Sequence, residues 1–202
     1  MDNTTAVRLS FSVNSYTNIN NYSVQDDAAV AADPLSQEEV YDERLTKRAD
    51  FDFGLSYLKY RGYGRLQGYY GVGIHYYYNR TKNTYSYGNP MSEMNPTPST
   101  AVPGAYSGTS RILFQDNGID QSLTGGLIAG IEYFFLPKIS IGGEVNLSYW
   151  HTWNSQSETE YEMWNGDEVY EYTDPINPGN VYRDLYTYQF DFVGSLYLMF
   201  HF

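Results

Sequence analysis

The sequence predicts an all-β protein, an antiparallel up-and-down transmembrane β-barrel, and three observations carry that prediction. Apolar residues alternate along six stretches of strand length instead of recurring every third or fourth position. The links between those stretches are two tight turns and three long polar segments, in alternation. Mean hydropathy is −0.52, and no apolar run approaches the roughly 20 residues that a membrane-crossing helix needs, whereas a crossing strand needs only about 9–11 alternating ones.

The first stretch runs from Ala6 to Tyr16, where Val7, Leu9, Phe11 and Val13 oppose Arg8, Ser10, Ser12 and Asn14. The second covers Phe51 to Tyr60. The third, Leu66 to Tyr78, sets Tyr70, Val72, Ile74, Tyr76 and Tyr78 against Gln67, Gly71, Gly73 and His75. From Leu123 to Phe135, Leu123, Leu127, Ala129, Ile131, Tyr133 and Phe135 share a face, and Thr124, Gly126, Gly130 and Glu132 share the other with Ile128 and Phe134. Next, Ile139 to Trp153 places Ile141, Val145, Leu147 and Tyr149 opposite Ser140, Glu144, Asn146 and Ser148. The last stretch aligns Phe190, Phe192, Leu196, Leu198, Phe200 and Phe202, with Tyr186 and Tyr188 extending that face.

Tight turns are expected at Arg61-Gly62-Tyr63-Gly64 and Leu136-Pro137-Lys138, and long loops at about 18–49, 79–120 and 154–184. Antiparallel neighbours then send every long loop to one end and every short turn to the other, which is the plan of an outer-membrane barrel. The chain of 202 residues holds 24 Asp and Glu against 12 Lys and Arg, a net charge of −12. Most of the acidity falls in the first and third loops. Phosphate backbones are bound by clustered Lys and Arg, so nucleic acid is not an expected partner. With no cysteine, neither a disulfide framework nor a zinc–thiolate site is available. The segment from Asn89 to Gly104 carries four prolines, cannot join a ladder and is expected to be mobile.

Alternation alone does not say which face points inward, but content does. One face is bulky, aliphatic in its middle and aromatic at its ends, like the girdles that sit at the two lipid–water boundaries. The other is Gly, Ser and Asn with Arg8, Glu132 and Glu144, a poor filler for a close-packed core. The apolar face is therefore expected outward. Arg8, Arg65, Glu132 and Glu144 become a lumen charge network, since enclosed carboxylates need a cation beside them to stay ionised. Such a network plugs the interior. Backbone in lipid has no water to bond, so a barrel must close, with eight strands the smallest even number. Six strands of an expected eight are visible, and residues 1–202 are read as one barrel domain lacking a signal segment and its first hairpin.

Residues at several places carry a resemblance. Tyr197-Leu198-Met199-Phe200-His201-Phe202 resembles the C-terminal signal read by barrel-assembly machinery, with Tyr197, Leu198, Phe200 and Phe202 as its pattern. The segments from Asp2 to Phe11, Phe51-Asp52-Phe53-Gly54 and Gly68-Tyr69-Tyr70-Gly71-Val72-Gly73 resemble strands of small single-domain outer-membrane β-barrel proteins of Bacteroidota, similar in plan to OmpA and OmpX barrels. The resemblance implies location in the cell outer membrane and contact with the assembly machinery.

No G-x-S-x-G, phosphate loop, H-E-x-x-H or EF-hand loop occurs. His75, His151 and His201 lie on three strands and on both faces, so no catalytic, metal or cofactor site is expected. The reading is a non-enzymatic barrel whose long acidic loops serve a structural or surface-interaction role. Its partners would be outer-membrane lipid and a surface protein or glycan, because Trp153, Trp164 and the loop tyrosines suit wet interfaces. The rival readings are a small-solute channel and a soluble sugar-binding β-sandwich.

Overall fold

Alternation is the cause of the architecture, and the computed structural model, which describes residues 5–176 and 190–200, follows it along the chain. The elements are β1 (Thr5–Gln25), α1 (Asp27–Ala32), β2 (Glu39–Tyr63), β3 (Leu66–Ser86), β4 (Tyr106–Ser107), β5 (Ser110–Leu136), β6 (Ile139–Asn154), β7 (Ser157–Trp164), β8 (Val169–Ile176) and β9 (Phe190–Phe200). Every pairing is antiparallel, and the main path runs β1-β2-β3-β5-β6-β9. The sheet curls into a half-barrel, so the fold class is all-β and barrel-like. All six expected strands are present among the described residues; Tyr186 and Tyr188, expected to extend the last, lie outside them.

Register fixes what each face carries. One row runs Val7, Tyr57, Val72, Leu127, Leu147, Phe192 through five successive pairings. The neighbouring row, one residue along each strand, runs Arg8, Ser56, Gly73, Gly126, Ser148, Asp191. A slip of one residue in any pairing would exchange the two sets, so the apolar alternation locks the register.

Short connections lie at one end, through Gly64-Arg65 between β2 and β3 and Pro137-Lys138 between β5 and β6. At the other end the strands run well beyond the expected boundaries. β1 continues to Gln25 and β2 starts at Glu39, which shortens the first connection to 26–38. β3 reaches Ser86, β5 starts at Ser110, and the third connection begins with the hairpin β7–β8. Ladder bonds between peptide groups need no apolar face, so Asn, Thr, Ser and Tyr carry the strands onward where hydrophobic alternation stops.

The helix α1 follows from its cap: the Asp26 carboxylate accepts from the backbone N–H of Ala28 and Ala29 at 2.9 and 3.2 Å. Above the wall, β5 changes partner. Its lower part pairs with β6 from Asp120 onward, and its upper part pairs with β7 between Arg111 and Asp116.

Candidate functional site

Two polar assemblies stand out, one on the concave side of the wall and one above it. On the concave side Arg8 projects from β1 and Glu144 from β6, which are separated by three strands in the sheet. Curvature brings Arg8 Nη1 to 2.9 Å from Glu144 Oε2. The same carboxylate accepts from the Tyr69 hydroxyl at 2.7 Å and from Asn146 Nδ2 at 3.1 Å. Tyr69 in turn accepts from the Tyr197 hydroxyl at 2.9 Å. A carboxylate with three donors, one of them a guanidinium, is compensated for its removal from water.

Leu58, Ile128 and the Tyr69 ring pack into a small buried cluster beside this chain, and Tyr60 lies against Tyr69 at 5.1 Å between ring centroids. Two glycines make room for the rings. A Cβ added at Gly130 would stand 2.3 Å from Tyr69 Cζ, and one at Gly142 would stand 2.4 Å from Tyr197 Cζ. Each tyrosine therefore lies flat over the glycine paired with it on the next strand.

Of the four residues expected in the lumen, Arg8 and Glu144 meet. Glu132, 1% exposed, faces the same enclosure two residues along β5 from Gly130 and accepts from the Ser140 hydroxyl at 2.5 Å. Arg65 is not brought to them. It sits in the two-residue β2–β3 turn, where side-chain alternation lapses, and its carbonyl accepts from the Phe134 N–H at 2.7 Å. Tyr197 belongs to the enclosed face, whereas Leu198 and Phe200 point outward; Phe202 lies outside the described residues. His75 is on the concave side, 4.0 Å from Asp52, and His151 packs beside Trp153.

The convex side is its opposite. Leu127, Leu147 and Leu198 are 59%, 44% and 57% exposed, and Val7, Leu9, Phe11, Val13, Leu55, Val72, Ile74, Ile131 and Ile141 are exposed with them. In water, an unburied Leu, Val, Ile or Phe forgoes roughly 1.5–3 kcal/mol each. Patches of this extent mark a surface meant for an apolar environment or a partner.

The second assembly holds the segment 87–105 to the strand tops. Arg111, buried, gives Nε to Glu162 Oε1 at 2.7 Å and Nη1 to the Asn89 carbonyl at 2.9 Å, and lies 4.1 Å over the Tyr87 ring. Asp42, fully buried, accepts from Gly88 N–H, Thr100 hydroxyl and Ala101 N–H at 2.9, 2.6 and 3.1 Å. Asn89 donates to the carbonyls of Gln25 and Ser99. Met91, Pro98, Val102 and Ala105 are buried beneath. Prolines keep this segment out of the ladder, and the side chains of Asp42 on β2, Arg111 on β5 and Asp27 on α1 anchor it instead, against the mobility expected of it. Burial alone would raise the Asp27 carboxyl, but the Ser99 backbone N–H and the Asn95 amide outweigh it and hold the group below its ordinary 3.8. Burial pushes the Tyr87 hydroxyl up, against the nearby Arg111.

Sequence reading missed Arg111, Asp42 and Asn89. One signal was there: Arg111 is the only Lys or Arg between Lys82 and Lys138. Among the described residues no group of three His, Asp or Glu side chains is placed to hold a metal ion. No family model, curated protein or solved structure matches the chain.

Proposed function

We propose that the chain is a non-enzymatic integral outer-membrane β-barrel protein that carries a folded acidic platform on its outer rim, in a structural or surface-interaction role. The observation that carries this reading is the inversion across the wall, with leucines open on the convex side while Glu132 and Glu144, 1% and 8% exposed, are enclosed on the concave side. A barrel wall in hydrocarbon needs that arrangement, and a sandwich in water needs the reverse. The aromatic ends of the belt, such as Tyr70 and Tyr133 below and Tyr78 and Trp153 above, suit the interfaces. Its partners in this reading are outer-membrane lipid, the barrel-assembly machinery acting on the segment with Tyr197, Leu198 and Phe200, and a surface protein or glycan. The enclosed Arg8–Glu144–Tyr69 chain with Leu58 and Ile128 favours a plug over a solute channel.

Partition tests the proposal. Expressed in a diderm bacterium with an export signal, the full chain should fractionate with outer membranes and resist alkaline carbonate extraction. Recovery as a monodisperse species in detergent-free buffer would overturn it.

A further inference from the structure

The chain has half as many cations as carboxylates, 12 against 24, yet three of the cations share one small area of the convex wall. Lys47 on β2 is directly opposite Lys82 on β3, and Arg80 lies two residues along β3 on the same face. Like charges placed opposite each other across a ladder repel, and a single carboxylate, Asp116, meets only two of these three cations. We propose that Lys47, Arg80 and Lys82 form a seat for the phosphate of an anionic lipid headgroup. This rests on the membrane reading above.

Position is the first argument. The aromatic border of the belt is the row Phe51, Tyr78, Gln121, Trp153. The next same-face row holds Ala49, Arg80 and Ile119, and the one above it holds Lys47, Lys82 and Asp116. At the opposite border Lys59 and Arg61 occupy the same face of β2, with Arg61 5.8 Å over the Tyr70 ring. From Lys59 to Lys47 a strand tilted about 40° rises roughly 30 Å along the barrel axis, at about 3.3 Å per residue. That is the hydrocarbon thickness, so both groups of cations fall at headgroup level.

Preorganisation is the second. The β3–β5 register shifts between Arg80 and Lys82, where β5 carries one extra residue. Gly118 takes up the bulge with φ +79°, and a Cβ there would stand 2.8 Å from the Ser155 and Gln156 carbonyl oxygens. The shift sets Asp116 against Lys82. Its carboxylate, 5% open, accepts from Arg80 Nε at 3.3 Å, Lys82 Nζ at 3.1 Å and Gly118 N–H at 3.1 Å. One buried carboxylate thus tethers both cations while each keeps more than a third of its side-chain surface open, 38% and 39%. Lys47 is exposed beside them. Glu158 continues the row beyond Asp116, so the cation-rich part is the β2–β3 side. Arg80 gives Nε and Nη2 to Asp116, which leaves its Nη1 edge and the ammonium groups of Lys47 and Lys82 to meet phosphate oxygens.

The test uses the full chain in phosphatidylcholine vesicles with and without phosphatidylglycerol, followed by native mass spectrometry of retained lipid. Wild type should retain phosphatidylglycerol in preference to phosphatidylcholine. The K47Q/R80Q/K82Q variant should lose that preference by roughly a hundredfold, and K47Q, which leaves the Asp116 tether intact, by roughly fivefold. Equal retention by wild type and both variants would overturn the proposal. So would displacement of the lipid by millimolar inorganic phosphate, which would identify a free-anion site instead. Failure of wild type to enter phosphatidylcholine vesicles would remove the membrane reading and this proposal together, whereas normal insertion with no lipid preference would remove only this one.

Discussion

The wall and the platform above it obey opposite burial rules. In the wall, Leu127, Leu147 and Leu198 are open while Glu132, Ser140 and Glu144 are enclosed. In the platform, Met91, Val102 and Ala105 are enclosed, and the buried polar groups Asp42, Asn89 and Arg111 are tied to defined partners. The platform is arranged like any protein in water. One chain inverts its polarity partway up the same strands, as the proposed membrane role requires, and the change falls near the row Phe51, Tyr78, Gln121, Trp153.

The largest expected effect lies in the platform. Arg111→Ala leaves Glu162 and the Asn89 carbonyl without their guanidinium and removes the stack on Tyr87. Breaking a buried pair from one side costs about 3–5 kcal/mol. Limited proteolysis should cut within 87–105 far faster in the variant, with the wall strands intact; an unchanged digestion pattern would show that Arg111 is not the anchor. Next comes Leu127→Arg on the belt. In a bilayer a mid-wall Arg costs about 2–4 kcal/mol, while an exposed site in water would register within about 0.5 kcal/mol. Urea unfolding in vesicles separates the two, and a value near zero would erase the contrast between the regions.

The smallest effect is the pH response of Asp27. Its folded-state pKa is lowered, so the clip to Asn95 and Ser99 contributes stability above the unfolded value of 3.8 and loses it as pH falls through the folded value. Hydrogen exchange at the Ser99 amide should speed up as pH drops below 3.8, after correction for intrinsic exchange, and Asp27→Asn should flatten that response.

Legibility in the sequence followed the same division. Alternation located all six wall strands and put Arg8 and Glu144 on one face, because a period of two is enforced wherever one side is apolar. Arg65 was named only because enclosed carboxylates need a cation, and it stands in a turn, where no alternation places its side chain. Strand ends were set too low, because above the border both faces are polar and no pattern survives even though the ladder continues from Tyr16 to Gln25. The platform was unreadable for another reason. Asp42 meets Gly88, Thr100 and Ala101, and Arg111 meets Glu162, across separations that no local period encodes.

The flat seating of Tyr69 on Gly130 and Tyr197 on Gly142 has a consequence for how the interior tolerates change. At that level the bore is shaped by hydrogen atoms, the smallest substituent available. Even one methyl group there would act as a wedge, tipping a phenol off its bed and carrying with it the Tyr69–Glu144 bond at Gly130 or the Tyr197–Tyr69 bond at Gly142. A side chain at either glycine would therefore have to displace a tyrosine ring, although neither position touches a charge itself.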